Sequence, residues 1–204
     1  METLQKGSKG DGVKVLQKAL HLIEDGIFGT ITEEAVKTFQ KANGLCPDGV
    51  VGEKTWGKLL FINGLVKSKR NIREIIVHCS ATPDGKDFTV DDIRKWHKAR
   101  GFSDVGYHYI VYRDGSVHDG RSVHLVGAHC TNHNANSIGV CYIGGVATDG
   151  KTPKDTRTPQ QKESLLTLLK QLKSLYPQAK IYGHRNFANK ACPSFAASRE
   201  YQNI

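Results

Sequence analysis

The segment GHRNFANKACPSF, residues 183–195, places His184, Lys190 and Cys192 within nine residues of one another. Imidazole and thiolate are the donors that suit a borderline-soft metal such as zinc. The same pair also suits a histidine base beside a cysteine nucleophile. The Asn, Pro and small residues between them fit an ordinary loop as well. In an extended segment, residues two apart project to one side, so Lys190 and Cys192 can face one cavity. A cation there lowers a thiol's pKa or stabilises an oxyanion formed at a metal. His78 lies far upstream but, like His184, ends an apolar strand-like run. Loops held at strand ends by a rigid scaffold favour binding sites. His78, His184 and Cys192 would give three ligands with a fourth position open, the pattern of a catalytic zinc. No close-spaced Cys pair of the zinc-finger kind occurs. Residue types alone leave the metal site, the thiol nucleophile and the plain loop all open.

The elements that must position these groups are legible as periodicities. IREIIVH (72–78) is β-branched and apolar, a central strand. DFTVDDIRKWHKARG (87–101) predicts a helix capped by Thr89, with Ile93 and Trp96 on one face and Gly101 as its stop. YHYIVYRDGSVHDG (107–120) alternates on both sides of Asp114-Gly115, a hairpin signal. SIGVCYIGG (137–145) is a further strand, and KIYGH (180–184) a last short one. Thr158-Pro159 opens a long helix with Leu165, Leu168, Leu169, Leu172 and Leu175 at apolar positions. The order predicts a mixed sheet with helices packed on it; periodicity does not give the strand order.

The first 60 residues are different. DGIFGTIT (25–32) recurs as DGVVGEKT (48–55), 23 residues later. Each copy has a Gly turn and then a Thr, Thr32 or Thr55, placed to cap a helix. Ala35, Val36 and Phe39 follow the first Thr at helical spacing, and Trp56, Leu59 and Leu60 the second. A helix with Val13, Leu16, Leu20 and Ile23 precedes both. The expected fold class is therefore α+β in two domains. A three-helix all-α module at 1–62 and a polar, basic linker at 63–72 lead to a mixed α/β domain at 73–204, whose central sheet is flanked by helices.

The net charge is +9, yet residues 1–64 hold eight Lys/Arg and eight Asp/Glu, so the excess lies beyond them. A basic domain seeks an anionic partner: nucleic acid, a membrane surface or an acidic wall polymer. No recognition-helix motif or aromatic-basic platform supports nucleic acid. No apolar run approaches the roughly 18 residues of a membrane span. METLQKGSKGDG lacks the apolar core of a signal peptide, so synthesis in a cytoplasm is expected. Five scattered cysteines, an odd number, argue against a disulfide framework.

Four segments in order, IIVHCSAT (75–82), DVGYHYIVYRDGSV (104–117), GAHCTNHNANSIGVCYIGG (127–145) and GHRNFANKACPSF (183–195), resemble the zinc-dependent N-acetylmuramoyl-L-alanine amidases. That class includes amidase-type phage lysozymes and the peptidoglycan recognition proteins. The resemblance implies one zinc ion held by His78, His184 and Cys192, with Tyr107 and Lys190 catalytic and His129 and Asn134 lining the muropeptide groove. It implies hydrolysis of the amide joining N-acetylmuramic acid to L-alanine of the stem peptide. Tyr107 would hold or accept a proton from the water, or bond the oxyanion. Residues 4–60 resemble three-helix peptidoglycan-binding modules, which implies wall attachment. Peptidoglycan is then the partner, and a monomeric endolysin acting on the wall after release fits the missing signal peptide. The alternative is a non-catalytic recognition protein on the same fold. Loss of the Cys ligand is the common route to inactivity, and Cys192, Tyr107 and Lys190 are all present.

Overall fold

The computed structural model describes residues 2–20 and 22–204, the side chains of residues 60–64 excepted. Leu60, expected in a helical core, is among those side chains and lies outside the described residues. The chain separates into two units, Met1–Leu65 and Val66–Ile204.

The first unit holds α1 (Asp11–Ala19), α2 (Thr30–Ala42) and α3 (Glu53–Gly64). Its core is Leu4, Val13, Leu16, Phe28, Val36, Val51, Trp56 and Leu59. α1 stops at Ala19, so Ile23, expected on its apolar face, is instead 85% exposed. Thr32 and Thr55 do not cap. The N-caps are Gly29 and Gly52, and each Thr lies inside the first turn. The cause is a buried glutamine 15 residues before each Thr. Gln40 Nε2 faces Asp48 Oδ1 (2.9 Å), Val50 O (2.9 Å) and Thr55 Oγ1 (3.2 Å), while its Oε1 accepts from the Gly49 amide (2.9 Å). Gln17 repeats this set with Asp25, Ile27, Thr32 and Gly26. Gly26 and Gly49 have φ of 74° and 76°, the left-handed turn conformation that glycine adopts without a Cβ clash. The Ile27 amide and Gln17 together hold the Asp25 carboxyl below its ordinary pKa. The 23-residue echo is therefore one hydrogen-bonded corner built twice.

The second unit is a five-stranded sheet in the order β4-β3-β5-β1-β7. Its strands are β1 (Glu74–Cys79), β3 (Tyr109–Val111), β4 (Val117–Asp119), β5 (Ser137–Tyr142) and β7 (Lys180–Gly183). β1 runs parallel to both β5 and β7, and β3 parallel to β5; only β4 is antiparallel. A second parallel pair joins β2 (Thr82–Pro83) to β6 (Gly145–Val146). β1 is buried from Ile75 to Cys79, as a strand with neighbours on both edges must be. The helices are α4 (Val90–Ala99), α5 (Pro159–Leu175) and the short α6 (Ala197–Glu200). Thr89 and Thr158 both form capping boxes, with Asp92 and Gln161. Leu165, Leu168, Leu169 and Leu172 are buried. On α4 the buried face is Val90, Ile93 and His97; Trp96 sits at the flank, 39% exposed, against Phe88. His97 takes the inward place because its Nδ1 accepts the Gly106 amide at 2.9 Å.

The polar stretch before β1 is anchored from Ser68 onward. Ser68 donates to Val123 O (2.6 Å) and its amide donates to the Tyr176 hydroxyl (2.6 Å). Arg70 donates to the carbonyls of Val123, Asn134, Ala135 and Ser137. These polar side chains read as linker because their partners are main-chain carbonyls, which carry no sequence signal. No helix among the described residues is long and apolar enough to cross a membrane.

Replacing Gln40 with Leu strands the Gly49 amide in the corner and removes a donor from Asp48, while the Thr55 hydroxyl keeps its bond to Val50 O. The expected cost is about 1–3 kcal/mol of first-unit stability. Hydrogen exchange at the Gly49 and Val51 amides should speed up accordingly, with β1 amides unchanged.

Candidate metal centre

His78 and His184 meet because β7 ends beside the carboxyl end of the parallel strand β1. Val77 of β1 pairs with Gly183, the last residue of β7, so His184 just past β7 stands beside His78, while β1 runs on to Cys79 along β5. Their ring centroids are 4.7 Å apart. Ligand sites in open α/β sheets favour this carboxyl edge.

Cys192 returns to the edge on a tightly tied loop. Cys192 O accepts the Arg185 amide (2.7 Å), Pro193 O accepts the Tyr142 hydroxyl (2.7 Å), and Ser194 donates to Gly145 O (2.6 Å). Gly183 makes the approach possible, since a Cβ there would lie 2.7 Å from Pro193 Cδ. Cys192 Sγ accepts the Cys79 amide at 3.3 Å and stands 3.8 Å from His78 Nδ1. One donor atom from each of His78, His184 and Cys192 lies within 4.8 Å of the other two. A tetrahedral zinc with ordinary Zn–S and Zn–N lengths holds S and N about 3.5 Å apart. The donor set thus fits zinc in chemistry and in reach. His78 is buried, while His184 and Cys192 are half-buried, which leaves one side open. Burial, with His129, His184 and Lys190, holds the His78 pKa well below its ordinary value; burial and then Lys190 lower that of His184. Both rings are neutral at physiological pH, the form that ligates metal.

The Tyr107 ring packs 5.1 Å from His78 and 5.3 Å from His97. Burial, reinforced by the thiols of Cys141, Cys192 and Cys79, pushes its phenol well above its ordinary pKa. It is a protonated O–H donor at neutral pH. Lys190 is exposed on the rim. His129, by contrast, is 8% exposed and its Nδ1 faces His78 Nε2 at 3.0 Å. Asn134 spends its Oδ1 on the amides of His129 and Cys130, both at 2.8 Å. His108 is buried, with Nδ1 accepting the Gly139 amide at 2.9 Å. Four of the nine histidines, His78, His108, His129 and His184, therefore form one cluster that runs from the carboxyl ends of β1 and β7 back to the amino end of β3. Periodicity offered no signal for His97 or Ser137, whose roles depend on contacts across the fold.

Residues 68–195 match the N-acetylmuramoyl-L-alanine amidase family, and residues 9–59 a peptidoglycan binding domain. The chain belongs to the N-acetylmuramoyl-L-alanine amidase family. An endolysin of Enterobacteria phage K11 is 44% identical over 131 residues, covering 64% of this chain and 86% of that protein. The endolysin of Escherichia phage T7 is 44% identical over 136 residues, covering 67% and 89%. Among solved structures, N-acetylmuramoyl-L-alanine amidase LysC from Clostridium intestinale URNW matches with a TM-score of 0.55. It is 28% identical and covers 64% of this chain and 82% of that one.

In this amidase the Cys192 loop is also braced from behind. The Arg157 side chain is almost fully buried, lies over the Phe195 ring, and pairs with Asp155 and Glu200 at 2.8 Å each. Arg157 holds the Glu200 carboxyl below its ordinary pKa. A carboxylate whose pKa is depressed on folding stabilises above its unfolded pKa and loses that contribution as pH falls through the folded value. Thermal stability of the second unit should therefore fall on acidification below about pH 4.3, the unfolded glutamate value. In Glu200→Gln the decline should be shallower, as read by melting curves across pH.

Proposed function

We propose that this amidase is a phage-type endolysin whose single zinc ion is held by His78, His184 and Cys192. Its activity is peptidoglycan hydrolysis at the amide between N-acetylmuramic acid and L-alanine. The observation that carries the reading is the convergence of three soft and borderline donors on one strand edge, with one side open. A cysteine nucleophile needs only Cys192 and one histidine, and leaves the second neutral imidazole without a purpose. Bound there, zinc supplies Lewis acidity and lowers the pKa of a water to about 7.

The chain's own groups then divide the work. His78, buried and locked between neighbouring rings, fixes one ligand direction. Lys190 brings positive charge from the rim to the amide oxygen as that oxygen becomes negative. Tyr107, protonated and wedged against His78 and His97, acts as a hydrogen-bond donor rather than as a base. The α-helical module, which ends with α3 at Gly64, grips the wall, and the unit anchored from Ser68 onward cuts. Free carboxylates of stem peptides suit the positive charge of the cutting domain.

Cys192→Ser should lose zinc and wall lysis together, and a chelator should abolish lysis of the unaltered protein. Mass analysis of digested peptidoglycan should show new N-terminal L-alanine on intact glycan; new reducing sugar ends as the main product would sink the assignment. Lys190→Ala should keep its zinc but lose about 100- to 1,000-fold in kcat. A kcat within threefold of the original would remove Lys190 from the chemistry.

A further inference from the structure

The buried imidazole of His129 has no role in the mechanism above, yet the fold goes to some length to house it. Its ring lies flat over β5 at Gly139, where a Cβ would come within 2.6 Å of His129 Cδ2 and 2.7 Å of Cγ. A Cβ at Gly127 would come within 2.5 Å of the same ring. Two glycines thus clear the volume it fills. Asn134 Oδ1 pins the backbone amide of His129 and of the next residue, Cys130. The His129 ring is then fixed at both nitrogens: Nδ1 lies 3.0 Å from His78 Nε2, and Nε2 lies 3.3 Å from Ser137 Oγ.

The proton positions along this line follow from one requirement. His78 presents Nδ1 toward Cys192 Sγ, 3.8 Å away, so Nδ1 is its ligating atom. A ligating nitrogen carries no proton, so the proton of the neutral His78 ring sits on Nε2. Nε2–H donates to His129 Nδ1, which must therefore be bare. His129 in turn carries its proton on Nε2 and donates it to Ser137 Oγ. In the opposite arrangement His129 Nδ1–H donates to His78 Nε2. The His78 proton then sits on Nδ1 and blocks the metal.

We propose that His129, backed by Ser137, is a positioning residue that fixes the His78 tautomer and ring direction so that Nδ1 is presented to the metal. This rests on the zinc reading above. Most histidine ligands of metals donate their second ring N–H to a carboxylate, carbonyl or water. Here a second imidazole takes that place, and the sheet provides room for it with glycines.

The test compares zinc affinity, by competition with a chromophoric chelator, in wild type, His129→Leu and His129→Asn. Leucine fills the space without an acceptor. Asparagine keeps an acceptor oxygen close to where Nδ1 stands. His129→Leu should bind zinc about 10- to 100-fold more weakly, and His129→Asn should stay within about threefold of wild type. The rescue separates tautomer control from simple packing, which both substitutions would disturb. Thermal melts establish that each variant is folded; if the leucine variant is not, the asparagine variant decides alone. Unchanged affinity in folded His129→Leu, or a tenfold or greater loss in folded His129→Asn, overturns the proposal. Wild-type protein that binds no zinc overturns the metal reading itself, and this inference with it.

Discussion

The catalytic unit depends on the register of one strand pair. β1 and β7 run parallel with Val77 opposite Gly183, where β7 ends and β1 has only His78 and Cys79 left to run. Two histidines that are more than a hundred positions apart in sequence therefore emerge side by side. A slip of one residue would turn one imidazole to the opposite face of the sheet. Register is secured because β1 is enclosed: five of its six residues are buried, and β5 holds its other edge. The loop carrying Cys192 adds the third donor only because Gly183 lets Pro193 come close.

Much of this was legible from the residues. The strand ends bearing His78 and His184, the capped helices at Thr89 and Thr158, and the three-helix module all follow from periodicity and cap chemistry. What failed did so for identifiable reasons. Thr32 and Thr55 look like caps, but each is drawn inside the helix by a glutamine 15 residues earlier. Trp96 looks like a core residue, but His97 has a polar partner inside and takes the place. Ser68 and Arg70 look like linker because they bond main-chain carbonyls, whose positions no local pattern encodes. The recognition motifs named the site residues by analogy. Only coordinates could show that His129 is enclosed and bonded to His78.

The two units solve the problem of buried polarity in different ways. The helical module uses neutral amides: Gln17 and Gln40 each satisfy several groups of one turn. The catalytic unit encloses ionisable groups instead: imidazoles kept neutral by burial, and the permanently charged Arg157 matched to two carboxylates. Unpaired charge in such places would cost several kcal/mol.

The duplicated glutamine corner has a kinetic consequence. Each corner closes contacts no more than 15 residues apart in sequence. The candidate metal centre brings Cys192 to His78 across 114 residues. Low contact order favours fast folding, and long loop closure slows it. During synthesis the amino-terminal module can complete its structure while the sheet's last strand is still unmade. The three donors can come together only after both β1 and β7 have been made, well after the module's last corner has formed.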